Sequence, residues 1–422
     1  MSDRLTSGPR YEAARTIWNG AVSRRPLAVL RCAGAADVQA GVRAAREDGL
    51  PLSVRGGGHD WAGRALVDGG LTLDLSPMRQ VSVDPATAVA TVAGGATSAD
   101  VAAAAQRAGL VAVTGTAGSV GMAGLTLGGG YGPLSGRFGL AADNLLSADV
   151  VLADGTLVTV DEEHDPELLW ALRGGGGNFG VVTTMRIRLH AVPAILAGMI
   201  MFRFDVLPDL EESLLRGPDE LTVQAGFITA PTGEPVLFAA PTWCGDPEVG
   251  MKALHRLTEL GEPLTAQVGP TTMPDQLAQI DAMFPAGRHV EIGARTVTAL
   301  DPEVRQILLD AANATTSPLS AISLHSLHGA AARVPADATA FRNRTPHLMV
   351  ETIAVWEPGD PAEDQHRAWV RGTDRLPGGY PNLLGPEDTA RTAAAFGPNG
   401  ERLLAAKKRY DPDLVFHAPG AL

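Results

Sequence analysis

Only two cysteines, Cys32 and Cys244, occur in the 422 residues. That is too few for a disulfide framework or a thiolate metal site, and the count favours two free thiols in a reducing compartment. Basic residues are also scarce: 34 Lys plus Arg stand against 47 Asp plus Glu, for a net charge of -13. A nucleic-acid binder needs a basic face to replace phosphate counterions, and a membrane-surface protein needs a basic amphipathic helix. Neither partner is expected. No apolar run approaches the roughly 20 residues of a membrane span, and the longest, 194–202, is broken by Gly198. The opening stretch MSDRLTSGPRYEAARTIW has charges and a proline where a secretory signal needs an apolar segment. A cytoplasmic protein is expected.

Glycine is abundant, and its distribution is informative. Half of the 49 glycines fall between Gly56 and Gly180. Between them run good element patterns, which a flexible linker would lack. The stretch 81–94 (VSVDPATAVATVAG) reads as two short strands around a turn. The stretch 98–108 reads as a helix with Ser98 as N-cap and Gly109 at its stop. The stretch 149–160 reads as two strands joined by Asp154-Gly155, and 181–189 alternates as a further strand. Four glycine clusters sit at the junctions: Arg55-Gly56-Gly57-Gly58-His59, Gly115 to Gly124, Gly128 to Gly132, and Gly174 to Gly180. One such cluster is most simply a set of tight turns. Four in one segment point to exposed amides that cradle an extended anionic ligand. Gly175 to Gly180 formally matches G-x-G-x-x-G, but a helix end precedes it and a strand follows it. That order excludes a nicotinamide-binding Rossmann unit.

Together the motifs carry a resemblance. The loop RGGGHDWAG (55–63), the stretches LTLDLS (71–76), GTAGSVGMAGLTLGGGYG (115–132), RFGLAADN (137–144) and LWALRGGGGNFG (169–180) resemble the vanillyl-alcohol-oxidase-type (PCMH-type) flavoproteins. Gly329-Ala330-Ala331, Ala338 to Phe341, Arg344, Tyr380-Pro381-Asn382 and KKRYDP (407–412) are similar to the berberine-bridge-enzyme-like branch. The resemblance implies an α+β, two-domain PCMH-type FAD-binding fold. An FAD domain at 20–193 would be followed by a substrate domain with an antiparallel sheet at 194–376. A segment at 377–422 would then return to the FAD domain.

The same resemblance implies that FAD is the cofactor and is bonded covalently through His59. FAD contacts are expected from Arg55, Gly56, Gly57, Gly58, His59, Asp60 and Gly63, and from Thr114, Gly115, Ser119, Val120, Gly121 and Gly124. Further contacts are expected from Gly128, Gly129, Gly130, Gly132, Leu140, Asp143, Asn144, Gly180, Val181, Val182, Tyr380 and Asn382. Two departures stand out. Ala117 occupies the position where many members carry a second, cysteinyl flavin bond, so a single attachment is expected. Leu383 stands where alcohol-oxidising members often have a second tyrosine.

The catalytic candidates are Tyr380, His325 and Glu351. His325 and His328 sit in SLHSLHG, three residues apart, and are expected on opposite strand faces, with His325 sharing its face with Ser323 and Leu327. Glu351 lies in the apolar strand LMVETIAVW, where a carboxylate is costly without a role or a partner. Two histidines without a third ligand predict no metal. The implied reaction is hydride removal from a small organic substrate (an alcohol, an amine or a secondary metabolite), with molecular oxygen as the second partner. The resemblance also implies that Val120 stands at a position near the flavin where a small residue tends to admit oxygen. An oxygen-insensitive dehydrogenase or oxidative cyclase, and a non-catalytic flavin-binding protein, are the alternatives. Aromatics are 5% of the chain with four tyrosines, which favours a compact apolar substrate over an aromatic-lined sugar groove. The sequence specifies no oligomeric state.

Overall fold

A computed structural model describes residues 3–416; Met1, Ser2 and the last six residues of the expected segment 377–422 lie outside the described residues. Three sheets follow one another along the chain. The first comprises β1 (Asp3–Leu5), β2 (Ala28–Arg31), β3 (Leu52–Arg55) and β4 (Leu71–Asp74) in the order β1-β2-β4-β3. Its inner strands are parallel and β1 is antiparallel.

The second sheet contains β5 (Val81–Asp84), β6 (Val89–Ala93), β7 (Val111–Ala112), β8 (Leu145–Val151), β9 (Leu157–Val160) and β10 (Val181–His190). The order is β5-β6-β10-β8-β9, with β7 also on β10, and every pairing is antiparallel. The hairpin between β8 and β9 turns at Asp154-Gly155. Gly155 takes φ +80° there, and the Asp154 carboxylate accepts from the Thr156 amide at 2.8 Å. The helix Ser98–Arg107 is capped one residue earlier than expected. Thr97 and Asp100 form a reciprocal capping box, and Ser98 is already inside the helix. The helix Pro166–Leu172 precedes the last glycine cluster and β10 follows it, the reverse of a dinucleotide-binding unit.

The third sheet is β11 (Leu196–Phe202), β12 (Leu221–Thr229), β13 (Pro235–Trp243), β14 (Thr265–Pro270), β15 (His289–Val297), β16 (Ala321–Leu327) and β17 (His347–Trp356). It is antiparallel throughout, in the order β14-β11-β13-β12-β16-β17-β15. Strand alternation decides what each face does. Ile322, Leu324, Leu348, Val350 and Ala354 pack into the apolar core behind the sheet, each fully buried side chain of Val or Leu size stabilising by roughly 1.5–3 kcal/mol. Ala321, Ser323, His325, Met349, Glu351 and Ile353, on the alternate positions, line a cleft. That burial fixes the register, because a one-residue slip would bury Glu351 in the core.

Leu376 still belongs to the core of the third sheet, whereas Phe396, Leu403, Ala406 and Tyr410 pack into the core of the second. The chain therefore crosses between the two bodies in the 377–395 stretch, and the helix Asn399–Tyr410 lies on the second sheet's core.

Candidate active site

Where the loop after β3 meets the stretch 115–121, backbone touches backbone. A Cβ on Gly57 would collide with the Gly121 amide nitrogen, and one on Gly121 with that of Gly57. Only glycine permits this approach. The two loops and the last glycine cluster form a trough walled by main chain at Gly56, Gly57, Gly58, Gly115, Gly121, Gly124, Gly176, Gly177 and Gly180, with Val120, Val181 and Val182. A Cβ on Gly124 would meet no protein atom within 4 Å and would project into open space. A trough in which glycines leave stretches of main chain uncovered, with peptide groups exposed between apolar side chains, fits FAD.

His59 lines this trough with its imidazole stacked on Trp18, ring centroids 4.2 Å apart and planes 17° apart. Burial pushes its pKa down to about 4. Next to it, Asp60 pairs with Arg64 at 2.6 Å, and Arg64 donates to the carbonyls of Asn382 (3.0 Å) and Leu384 (3.3 Å). Trp61 donates to the Leu383 carbonyl at 3.0 Å. The histidine loop thus grips the 380–384 segment and brings Tyr380, Asn382 and Leu383 into the same cleft of about 440 Å³. The Tyr380 hydroxyl accepts from the Gly130 amide at 3.1 Å and from Asn382 Nδ2 at 3.3 Å. Burial nevertheless raises its pKa to about 12, so it keeps its proton at neutral pH and can donate.

On the opposite wall the third sheet presents a compact polar cluster. His325 Nε2 lies 3.2 Å from Glu351 Oε2, 3.1 Å from Ser323 Oγ and 3.4 Å from Gln224 Nε2, and Gln224 donates to Ser323 at 2.7 Å. A carboxylate only accepts, so the His325–Glu351 bond requires a proton on Nε2. The cluster is set among Ile228, Phe238, Ile292, Met349 and Ile353. His328 does not join it. The strand ends at Leu327, and His328 is buried against Gly136, with neither ring nitrogen partnered.

Other expected flavin residues stand behind the trough. Arg55 turns away to donate to the carbonyls of Ala14 and Thr16, both at 3.2 Å. Gly63, at φ +77°, makes room for Val22. Ser119 Oγ donates to Asp281 at 2.7 Å. Gly128 and Gly129 admit the side chains of Asn382 and Phe341, and Gly132 passes against the Thr114 carbonyl. Asp143 accepts from the Leu140 amide and pairs with Arg344 at 2.7 Å, while Asn144 donates to the Leu140 carbonyl. These groups shape the wall without lining it.

Sequence reasoning did not single out Trp18, Arg64, Gln224, Tyr131 or Phe416, all of which line the cleft. The available signal for Gln224 was strand alternation facing His325, its register partner on β16. A second cavity of about 500 Å³ shares Thr116, Tyr131, Met199, Gln224, Ala240, Ile280 and His325 with the first. It is lined by Gln267, Gln276, Gln279, Thr222, Thr242 and Thr271, and among the described residues no Asp, Glu, Lys or Arg lines it. Cys32 and Cys244 are free and buried, line neither cavity, and are pushed up to about 12 by burial. Among the described residues no three His, Cys, Asp or Glu side chains are grouped to hold a metal.

Residues 26–161 match the FAD binding domain family, and residues 379–421 match the family described as berberine and berberine like. The FAD-linked oxidoreductase aurO of Gibberella zeae is 34% identical, with 97% of this chain and 83% of the relative covered. The (R)-6-hydroxynicotine oxidase of Paenarthrobacter nicotinovorans is 30% identical, covering 96% and 93%. The crystal structure of 6-hydroxy-D-nicotine oxidase from Arthrobacter nicotinovorans superimposes with a TM-score of 0.89 at 28% identity, covering 99% and 96%. A glucooligosaccharide oxidase from Acremonium strictum, described as carrying 6-S-cysteinyl, 8α-N1-histidyl FAD, gives 0.87 at 25% identity, covering 99% and 96%. With these likenesses along nearly its whole length and a glycine-walled trough in place, the chain belongs to the FAD-dependent oxidoreductases of vanillyl-alcohol-oxidase type, in the berberine-bridge-enzyme-like branch.

Proposed function

We propose that the protein is an oxidase whose FAD is held by one covalent bond, through His59, and which oxidises an alcohol or amine carbon of a compact organic molecule. The observation that carries the reading is the His325–Glu351 pair facing the His59 trough within one cleft. FAD, when bound there, would supply a two-electron acceptor for a hydride, with dioxygen as the terminal acceptor.

The chain's own residues do the rest. Ile292, Ile353, Met349 and Phe284 exclude water and hold an apolar ring. The His325–Glu351 pair takes the O–H or N–H proton as general base, and Tyr380 donates a hydrogen bond. Val120, at the cleft wall, leaves room for oxygen. Ala117 lines the same wall without a sulfur, which supports a single attachment. The adjoining amide- and hydroxyl-lined cavity accepts an uncharged polar extension of the substrate. The expectation of a compact apolar substrate is thereby widened to a molecule with an apolar core and a neutral polar tail. The division 20–193, 194–376 and 377–422 and a cytoplasmic site of action, in keeping with two free thiols, belong to the same proposal.

Acid precipitation tests the attachment: the pellet stays yellow, and the flavin travels with a peptide containing His59. A yellow supernatant over a colourless pellet rejects the bond. Anaerobic bleaching by a panel of cyclic amines and benzylic alcohols, followed by mixing with aerated buffer, tests the turnover. Fast recovery of colour with hydrogen peroxide is the expected result, and slow recovery would leave a dehydrogenase.

A further inference from the structure

Trp18 belongs to none of the motifs that identify the flavin domain, yet it makes the closest aromatic contact of His59. Its placement is determined from both sides. Toward the flavin loop, the Trp18 amide donates to the Gly58 carbonyl at 2.9 Å, and Asn19 Nδ2 donates to the Trp61 carbonyl at 2.7 Å. Toward the substrate-domain side, the indole Nε1 donates to the Phe284 carbonyl at 3.0 Å and the Trp18 carbonyl accepts from Gly287 at 2.9 Å. Asn19 adds a pair of bonds to Val290, donating to its carbonyl at 2.8 Å and accepting from its amide at 3.0 Å. Gly20 donates to the Arg288 carbonyl at 2.8 Å, at a point where a Cβ would collide with Gly287. Behind the loop, Arg55 fastens the carbonyls of Ala14 and Thr16. Residues 14–21 are therefore a strap tied to the histidine loop and to the segment leading into β15.

We propose that Trp18 is the positioning residue for covalent flavin attachment, its indole fixing the plane of the His59 imidazole so that a ring nitrogen meets the flavin 8α-methyl carbon once the strap has joined the loop to the substrate domain. This rests on the His59 attachment proposed above. The step exchanges one C–H bond of the methyl group and the imidazole N–H for a C–N bond. Two electrons and two protons leave together, and dioxygen accepts them to become hydrogen peroxide. The attacking nitrogen needs a free lone pair, and burial keeps His59 neutral at working pH. A neutral ring free to rotate would reach the reacting geometry seldom, and orientation of this kind governs rates by orders of magnitude. The stack confines the imidazole to one plane, while the three backbone anchors of Trp18 confine the stack.

The test uses the full chain, prepared from riboflavin-limited cells and mixed with FAD in air. Acid-precipitable flavin and hydrogen peroxide are followed with time, and total bound FAD is measured alongside. Wild type should acquire one acid-stable flavin and release one peroxide per chain, and His59→Ala should bind FAD without linking it. The expected order of linking rates is wild type, then Trp18→Phe, then Trp18→Leu, the last slower by about tenfold or more at equal bound FAD. Linking rates within about twofold of wild type in Trp18→Phe and in any Trp18→Leu protein that binds FAD would overturn the proposal. If Trp18→Leu binds no FAD, Trp18→Phe alone decides it. A wild type that never yields acid-stable flavin defeats the attachment reading itself, whereas normal linking in both variants defeats only the role of Trp18.

Discussion

His325 and Glu351 meet across neighbouring strands, imidazole to carboxylate at 3.2 Å, although they are not register partners: Glu351 sits opposite Ser323, and His325 opposite Met349. The diagonal places Ser323 between them, and Gln224 closes the cluster from β12. Each side chain is on the cleft face because the alternate residues are needed in the core. The sheet thus offers a proton-accepting pair held by its own hydrogen bonds, in a mostly apolar wall.

Replacement of either partner should lower turnover while leaving the cofactor in place. Glu351→Gln keeps the shape of the side chain but cannot take a proton, and His325→Asn removes the ring. A positioned general base contributes about 10²–10⁴-fold, so a fall in kcat of that size is expected for Glu351→Gln. Acid-stable flavin and thermal stability serve as controls. Full kcat in Glu351→Gln with bound FAD unchanged would assign the proton to another group.

Tyr380 is placed to donate, not to accept, a proton. With its pKa pushed up to about 12, no alkaline limb of the rate profile below pH 10 should depend on it. Tyr380→Phe should lower kcat by a similar factor at every pH, and it leaves the Gly130 amide without its acceptor, a cost of about 1–3 kcal/mol in stability. Comparison of the two pH–rate profiles checks this. A limb that disappears in Tyr380→Phe would make the phenol a base.

Local chemistry made much of this legible in the sequence. The hairpin at Asp154-Gly155, the strand 181–190 and the order of helix, glycine cluster and strand follow from turn residues and alternation that neighbours supply. The distinction between glycines that line the trough and glycines that admit another side chain did not follow. Gly124 and Gly128 look alike in sequence, yet one faces open space and the other makes room for Asn382, 254 residues later in the chain. His328 escaped the two-residue period because the strand stops at Leu327. The polar second cavity draws its amides from Gln224, Gln267, Gln276 and Gln279 on two strands and a helix, so no single stretch announces it.

Acid should weaken the fold through histidines that stay neutral when buried. His347 is 0% exposed, its Nδ1 donating to the Thr345 carbonyl at 2.6 Å and its Nε2 accepting from the Tyr131 hydroxyl at 2.6 Å. Burial lowers its pKa from 6.5 to about 4. Below pH 6.5 the unfolded chain takes up a proton that the folded one refuses, so stability present above that pH is lost as pH falls toward 4. At pH 5 the loss from this residue is about 2 kcal/mol. His347→Gln, which keeps an acceptor for Tyr131, should show a smaller drop in Tm between pH 7.5 and pH 5 than wild type. His59 and His190, shifted the same way, retain the remaining slope. An identical drop in the variant would remove His347 from this account.

Lys407 ties the C-terminal stretch to the flavin trough. It is 5% exposed, pairs with the fully buried Asp411 at 2.6 Å, and donates to the carbonyls of Asn178 (2.8 Å) and Phe416 (2.6 Å). Asp411 accepts the amides of Val415 and Phe416 at 2.8 Å each, and Phe416 lines the cleft beside Leu52, Val54 and Val181. Lys407→Met strands the carboxylate in the interior, and loss of one partner of a buried pair costs about 3–5 kcal/mol. Lower Tm and incomplete FAD loading are expected together, because the wall that Phe416 supplies is held by the same lysine. Lys407→Met/Asp411→Asn, which removes both charges, should recover part of the stability, giving a double-mutant cycle with a coupling of about 0.5–3 kcal/mol. Urea unfolding of the four proteins measures it. Additive losses would mean that the pair contributes through packing alone.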